Sequence, residues 1–87
     1  MPHPESQTAI VIKGPGGPDV LVPERVPVQS PGANQVLIRV SAAGVNRHDV
    51  HQRAAGRHSD GQPVPGLEVC GTVIERGEGV TEFELGD

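Results

Sequence analysis

The residues with the most chemistry in this chain fall in one stretch, between Gly44 and Cys70. Asn46 and Asp49 follow a β-branched run and stand where a helix can start. At a helix N-terminus the Asn46 side chain accepts from the backbone N–H of Asp49. The Asp49 carboxylate favours the positive end of the helix dipole. Local physics therefore explains the pair as a cap. The same side chains, on a polar loop facing a cleft, would hold and orient a small polar ligand. Both readings are open at this level.

The four histidines are His3, His48, His51 and His58. His48 and His51 would share one face of a short helix. Zinc takes three or four ligands, and Glu68 and Cys70 lie downstream. Polar surface histidines near a loop account for the same pattern without a metal. Cys70 lies inside the run LEVCGTVIER (Leu67–Arg76). A cysteine inside an apolar strand is an inert small hydrophobe unless a base or a helix terminus activates it. Glu68 begins the same run and needs a partner if buried, with Arg47 and Arg53 as candidates. Gly14–Gly17 is glycine-rich, but Pro15 and Pro18 remove N–H donors and no Gly-Lys-Ser/Thr follows. A tight turn fits it better than a phosphate loop.

The elements that must position these residues are short. Thr8–Lys13 reads as a strand ended by the Gly14–Pro18 turn. Val20–Val28 alternates loosely, and Pro23 and Pro27 confine it to a sheet edge. Ser30–Asn34 is a turn. Gln35–Ala43 is the best strand pattern, with Val36, Ile38, Val40 and Ala42 on one face and Arg39 and Ser41 on the other. A helix of one or two turns is expected from Arg47 to Arg53, then a polar loop over Ala54–Val64. Leu67–Arg76 is a second strong strand, in which Gly71 signals a bulge or a close backbone approach. Gly77-Glu78-Gly79 turns the chain, and Phe83–Leu85 starts another short element. This spacing suggests an antiparallel barrel or sandwich. Four or five strands do not close a barrel, so the pattern looks unfinished.

Composition sets the outer bounds. The 87 residues allow one domain or part of one, with one Phe and no Trp or Tyr for the core. Twelve Gly and nine Pro argue for turns and against long helices. A net charge of −4 without a basic run argues against nucleic-acid partners. No apolar stretch approaches the ~20 residues of a membrane span. Met1–Gln7 lacks the apolar core of a signal peptide, and a single Cys allows no internal disulfide.

Two segments taken together, QVLIRVSAAGVNRHDVHQR (Gln35–Arg53) and PVPGLEVCGTVIERGEGVTEFELGD (Pro63–Asp87), resemble the N-terminal, GroES-like domain of the medium-chain dehydrogenases/reductases. The opening AIVIKGPGGPDVLVPERVPVQSPGANQVLIRV fits that domain's first strands, so the resemblance spans nearly the whole chain. Zinc alcohol dehydrogenases of this superfamily carry a Cys ligand after the third strand and a His ligand in a Gly-His-Glu string. The matching positions here are Asn46 and Leu67, and neither is a good zinc ligand. Gly-Val-Asn-Arg-x-Asp and Pro-Gly-Leu-Glu are instead similar to the zinc-free quinone oxidoreductase branch, which includes the zeta-crystallin-like enzymes.

The resemblance implies a mainly β fold: a partial GroES-like barrel with one short helix, truncated before the Rossmann domain. Residues 1–87 would be an incomplete N-terminal catalytic domain. It implies NADPH-dependent, zinc-independent reduction of a quinone or enone, with NADPH bound mainly by the Rossmann domain. No nucleotide-binding glycine fingerprint occurs in these residues. Asn46 and Asp49 match polar residues that line the cleft for nicotinamide and substrate. His58 is the nearest match to a Tyr that relatives often place after the short helix, and would hydrogen-bond a substrate oxygen. No catalytic acid is assigned, because cofactor and acceptor carry the chemistry. The implied partners are a small-molecule quinone or enone and further copies of the chain in a cytoplasmic homo-oligomer, with no nucleic acid and no membrane. Two other readings are compatible: a non-enzymatic GroES-like β association module or inactive fragment, and a zinc-type alcohol dehydrogenase relative using His48, His51 or His58. The purified chain is expected to hold no stoichiometric zinc. One tightly held equivalent, found by elemental analysis in metal-free buffer, would sink the zinc-free reading.

Overall fold

The computed structural model describes residues 3–58 and 61–87. Strands β1 (Ser6–Ile12) and β2 (Leu21–Pro27) pair antiparallel, from Ser6 opposite Pro27 to Ile12 opposite Leu21. The link between them holds the Gly-Pro turn and a single 3-10 turn at Pro18–Val20. Pro23 and Pro27 have no N–H to give to a ladder, and β2 pairs with β1 alone among the described residues. The proline signal for an edge strand therefore holds.

Strands β3 (Val36–Ala43) and β4 (Val69–Arg76) form the second antiparallel pair. Helix α1 (Arg47–Ala55) and the loop after it connect them. The result is mainly β with one short helix, as the sequence pattern suggests. The helix runs two residues beyond the expected Arg53, because Ala54 and Ala55 are strong helix formers. It stops at Gly56, which is left-handed at φ 90° and returns its N–H to the Gln52 and Arg53 carbonyls. The Gly-Pro turn docks on this end of the helix. Gly16 N–H donates to the Arg53 carbonyl at 3.4 Å and Arg53 Nε to the Gly16 carbonyl at 2.9 Å. The glycines of that turn are thus used for a helix contact.

Four differences from the sequence reading concern faces and ends. The ladder between β3 and β4 slips twice: Ile74 has no partner opposite, and neither does Ser41. Each slip is a bulge, and a bulge interrupts the two-residue alternation of faces. Val36, Leu37 and Ile38 are all half-buried as a consequence, while Val40 is exposed. Strand β4 begins at Val69 rather than Leu67, and Cys70 is exposed rather than packed inside an apolar strand. Phe83–Leu85 forms no strand or helix. Instead Gly86 N–H and Asp87 O bond Val73 of β4 at 2.8 Å each. The deeply buried aliphatic side chains among the described residues are Val11, Ile12, Val73 and Ile74.

Gly71 lies at the second bulge, opposite Val40. A Cβ there would stand 2.1 Å from the Arg39 carbonyl oxygen and 2.7 Å from Ile38 Cγ2. The backbones of β3 and β4 approach this closely only because residue 71 has no side chain. Gly71→Ala is expected to destabilise the fold by about 1–3 kcal/mol, measured by urea unfolding. An unchanged unfolding midpoint would mean that the two strands do not meet at this bulge.

Candidate functional site

Helix α1 starts at Asn46, whose backbone is extended (φ −127°, ψ 157°). Asn46 and Asp49 form a capping box. The Asn46 N–H donates to Asp49 Oδ2 at 3.0 Å, and the Asp49 N–H donates to the Asn46 carbonyl at 3.0 Å. The Asn46 amide nitrogen points away from the helix and donates to Glu68 Oε1 at 3.0 Å. The cap therefore also links the helix start to the segment that leads into β4. Glu68 takes Asn46 as its partner in place of the expected Arg47 or Arg53, and it is exposed rather than buried.

Gly44 makes this link possible. A Cβ at residue 44 would lie 2.2 Å from Glu68 Oε2. Its N–H also donates to the Glu68 carbonyl at 3.1 Å, so the two segments run side by side. Together they border an open cleft of about 540 Å³. Ile10, Leu21, Val45, Leu67 and Val69 supply its apolar walls, and Asp49 and Glu68 are its charged margin. Val45 is 92% exposed and Leu67 56%. Among the described residues, no Lys, Arg or His lines the cleft.

Leu67 and Asn46 thus both belong to one place. Leu67 forms a wall of the cleft, and Asn46 holds its margin through Glu68. His58 lies elsewhere. It lines a second open cavity, of about 670 Å³, together with Gln7, Gln35 and Gln62. Pro65 and Gly66 border both cavities. His58 Nε2 is 2.9 Å from the Gly66 carbonyl, so the ring N–H holds the wall between them. His48 and His51 are exposed on α1. Among the described residues, no three His, Cys, Asp or Glu side chains gather as a metal site.

One residue of the site was not legible from the sequence. Gln52 is 3% exposed, the sole deeply buried polar side chain among the described residues. Its Oε1 accepts from the Gly66 N–H at 2.8 Å. Its Nε2 is buried without a partner, and so is Asp49 Oδ1. The available signal was spacing, since residues 49 and 52 share a helix face.

Residues 32–87 match the family model of the alcohol dehydrogenase GroES-like domain. The chain is 46% identical to a 2-haloacrylate reductase from Burkholderia sp over 83 residues, which is 91% of this chain and 25% of that protein. It is 43% identical to a quinone oxidoreductase from Sus scrofa over 77 residues, 83% of this chain and 23% of that protein. Alcohol dehydrogenases match as well, including one from Neurospora crassa. The solved structure of the human synaptic vesicle membrane protein VAT-1 homolog-like protein superposes with a TM-score of 0.82 at 33% identity, over 97% of this chain and 27% of that one. The chain spans about a quarter of the length of the curated relatives it matches.

Asn46→Ala removes the side-chain link to Glu68 and leaves the backbone bonds to Asp49 in place. It is expected to cost about 0.5–1.5 kcal/mol of stability. In a double-mutant cycle, Asn46→Ala and Glu68→Ala should couple by about 0.5–1 kcal/mol. Strict additivity would mean that the link is not formed in solution.

Proposed function

Since this chain belongs to the alcohol dehydrogenase GroES-like domain family of the medium-chain dehydrogenases/reductases, we propose that the protein carrying it is an NADPH-dependent, zinc-independent reductase of quinones or other uncharged enones. The observation that carries this reading is the pair Asn46 and Leu67. Asn46 commits its amide nitrogen to Glu68, and Leu67 forms an apolar wall. An amide and an aliphatic side chain do not make a zinc site, whose ligands are thiolate, imidazole or carboxylate. The donor set does not fit the metal, so the acceptor is held by other means.

NADPH, when bound, supplies the hydride, and the acceptor takes it without a metal to polarise its oxygen. The chain's own residues bind and orient. The apolar walls take a flat ring and exclude water from it, while Asn46 and Asp49 fix the polar margin beside it. His58 acts in this reading by holding the Gly66 carbonyl, or by meeting a substrate oxygen in the adjoining cavity.

Charge narrows the acceptor class. Asp49 and Glu68 border the cleft and no cation faces them there. An acceptor bearing a carboxylate would meet two like charges in a partly apolar site, where screening is weak. A haloacrylate, the acceptor named for the Burkholderia relative, is of that kind. An uncharged quinone or enone meets no such repulsion.

The test is turnover by the natural polypeptide that carries this segment, with NADPH and a benzoquinone, before and after treatment with a zinc chelator. Reduction unaffected by the chelator is expected, with little activity on haloacrylate. Asn46→Ala and Asp49→Ala should each lower kcat/KM by more than the ~1 kcal/mol that the lost bond costs in stability. Chelator-sensitive activity would overturn the zinc-free reading. Unchanged kcat/KM with a lower Tm would make capping the whole role of the pair.

A further inference from the structure

We infer that Gln52 is a positioning residue for the reductase cleft, holding the Pro65–Glu68 wall through the Gly66 N–H. The inference rests on the reductase reading and extends it to a residue that touches neither cofactor nor acceptor. Gln52 lies on the buried side of α1, one helical turn after Asp49. Its Oε1 takes the Gly66 N–H at 2.8 Å. The Gly66 carbonyl is held in turn by His58 Nε2 at 2.9 Å. Both backbone groups of one glycine are therefore fixed by side chains, in a stretch that lacks regular secondary structure. The next two residues are Leu67, a wall of the cleft, and Glu68, the partner of Asn46.

The chemistry of Gln52 argues that this contact is its use. A buried amide with an unpartnered Nε2 is costly, and an aliphatic side chain of similar size would avoid that cost entirely. What an aliphatic residue would lose is the acceptor for Gly66. The neighbouring orphan oxygen, Asp49 Oδ1, marks the same helix face as one where packing is arranged around the cleft rather than for maximal stability. A shift of the wall by even a fraction of an ångström moves Leu67 against a bound ring, and binding geometry is sensitive at that scale.

The experiment uses the natural polypeptide that carries this segment. Gln52→Met removes the acceptor at nearly constant volume. Gln52→Met is expected to raise KM for a benzoquinone about fivefold to tenfold, the worth of one such bond, with kcat for the bound complex changed less. A lower Tm with unchanged KM in Gln52→Met would overturn the inference and leave a purely structural role. Because Gln52→Met could fail to fold, the bond is also read in the unmodified protein, as NMR scalar coupling between the Gly66 amide nitrogen and the Gln52 side-chain carbonyl carbon. Absence of that coupling overturns the inference without any variant. It is read without turnover, so its loss is distinct from a failure to reduce quinone, which would defeat the reductase reading itself.

Discussion

The segment from Pro63 to Glu68 has no ladder of its own, and the cleft depends on where it is held. Among the described residues, bonds from β1, from α1 and its flanks, and from the end of β3 hold it. Ile12 N–H at the end of β1 reaches the Pro63 carbonyl at 2.7 Å. Gln52 of α1 and His58 of the following loop take the two sides of Gly66. Gly44, just past β3, donates to the Glu68 carbonyl, and Asn46 at the helix start donates to the Glu68 side chain. Such bonds are worth about 0.5–1.5 kcal/mol each, so none fixes the segment alone. Their directions differ, and together they leave it little freedom. The core is small, and polar ties do here what aliphatic packing does in larger domains.

This explains which parts of the fold were legible in the sequence. The strands announced themselves through β-branched runs, and Pro23 and Pro27 marked β2 as an edge because an imide cannot donate. The start of α1 was legible because capping is local chemistry among neighbours. Gly71 was legible because a glycine inside a good strand pattern has few other reasons to be there. The burial of β3 was not. Assigning Val36, Ile38, Val40 and Ala42 to one face assumes an unbroken ladder, and the two bulges break it. A bulge is decided jointly by both strands, so neither strand's sequence shows it alone. Cys70 is exposed because this end of the ladder, Val40–Ala43 opposite Val69–Gly71, is open on both faces.

The site divides along the same line. Asn46 and Asp49 stood out because their types and spacing already make sense as a cap. The structure shows that the cap and the cleft margin are one arrangement, because the Asn46 backbone serves the helix and its amide nitrogen serves Glu68. The two roles use different atoms and do not compete. Gln52 was invisible because glutamine in a short helix ordinarily faces water. Only the approach of Gly66, far along the chain, turns it inward. The partner of Glu68 was misjudged for a related reason. Arg53 was free to pair on sequence grounds, but its Nε is used by the Gly16 carbonyl at the other end of the helix.

The apolar side chains around the cleft are left uncovered by the rest of the described fold. Ile10, Val45, Leu67 and Val69 are each close to half exposed or more, in a chain whose deeply buried aliphatics are few. Burying them against one another would gain about 25 cal/mol for each Å² removed from water. Around the cleft the fold forgoes that gain beside a polar edge of Asp49, Glu68 and Asn46. An apolar floor with a few fixed polar groups is the usual composition of a small-molecule site. In this chain the two parts come from different segments, the floor from Ile10, Leu67 and Val69 and the polar margin from the start of α1 and Glu68.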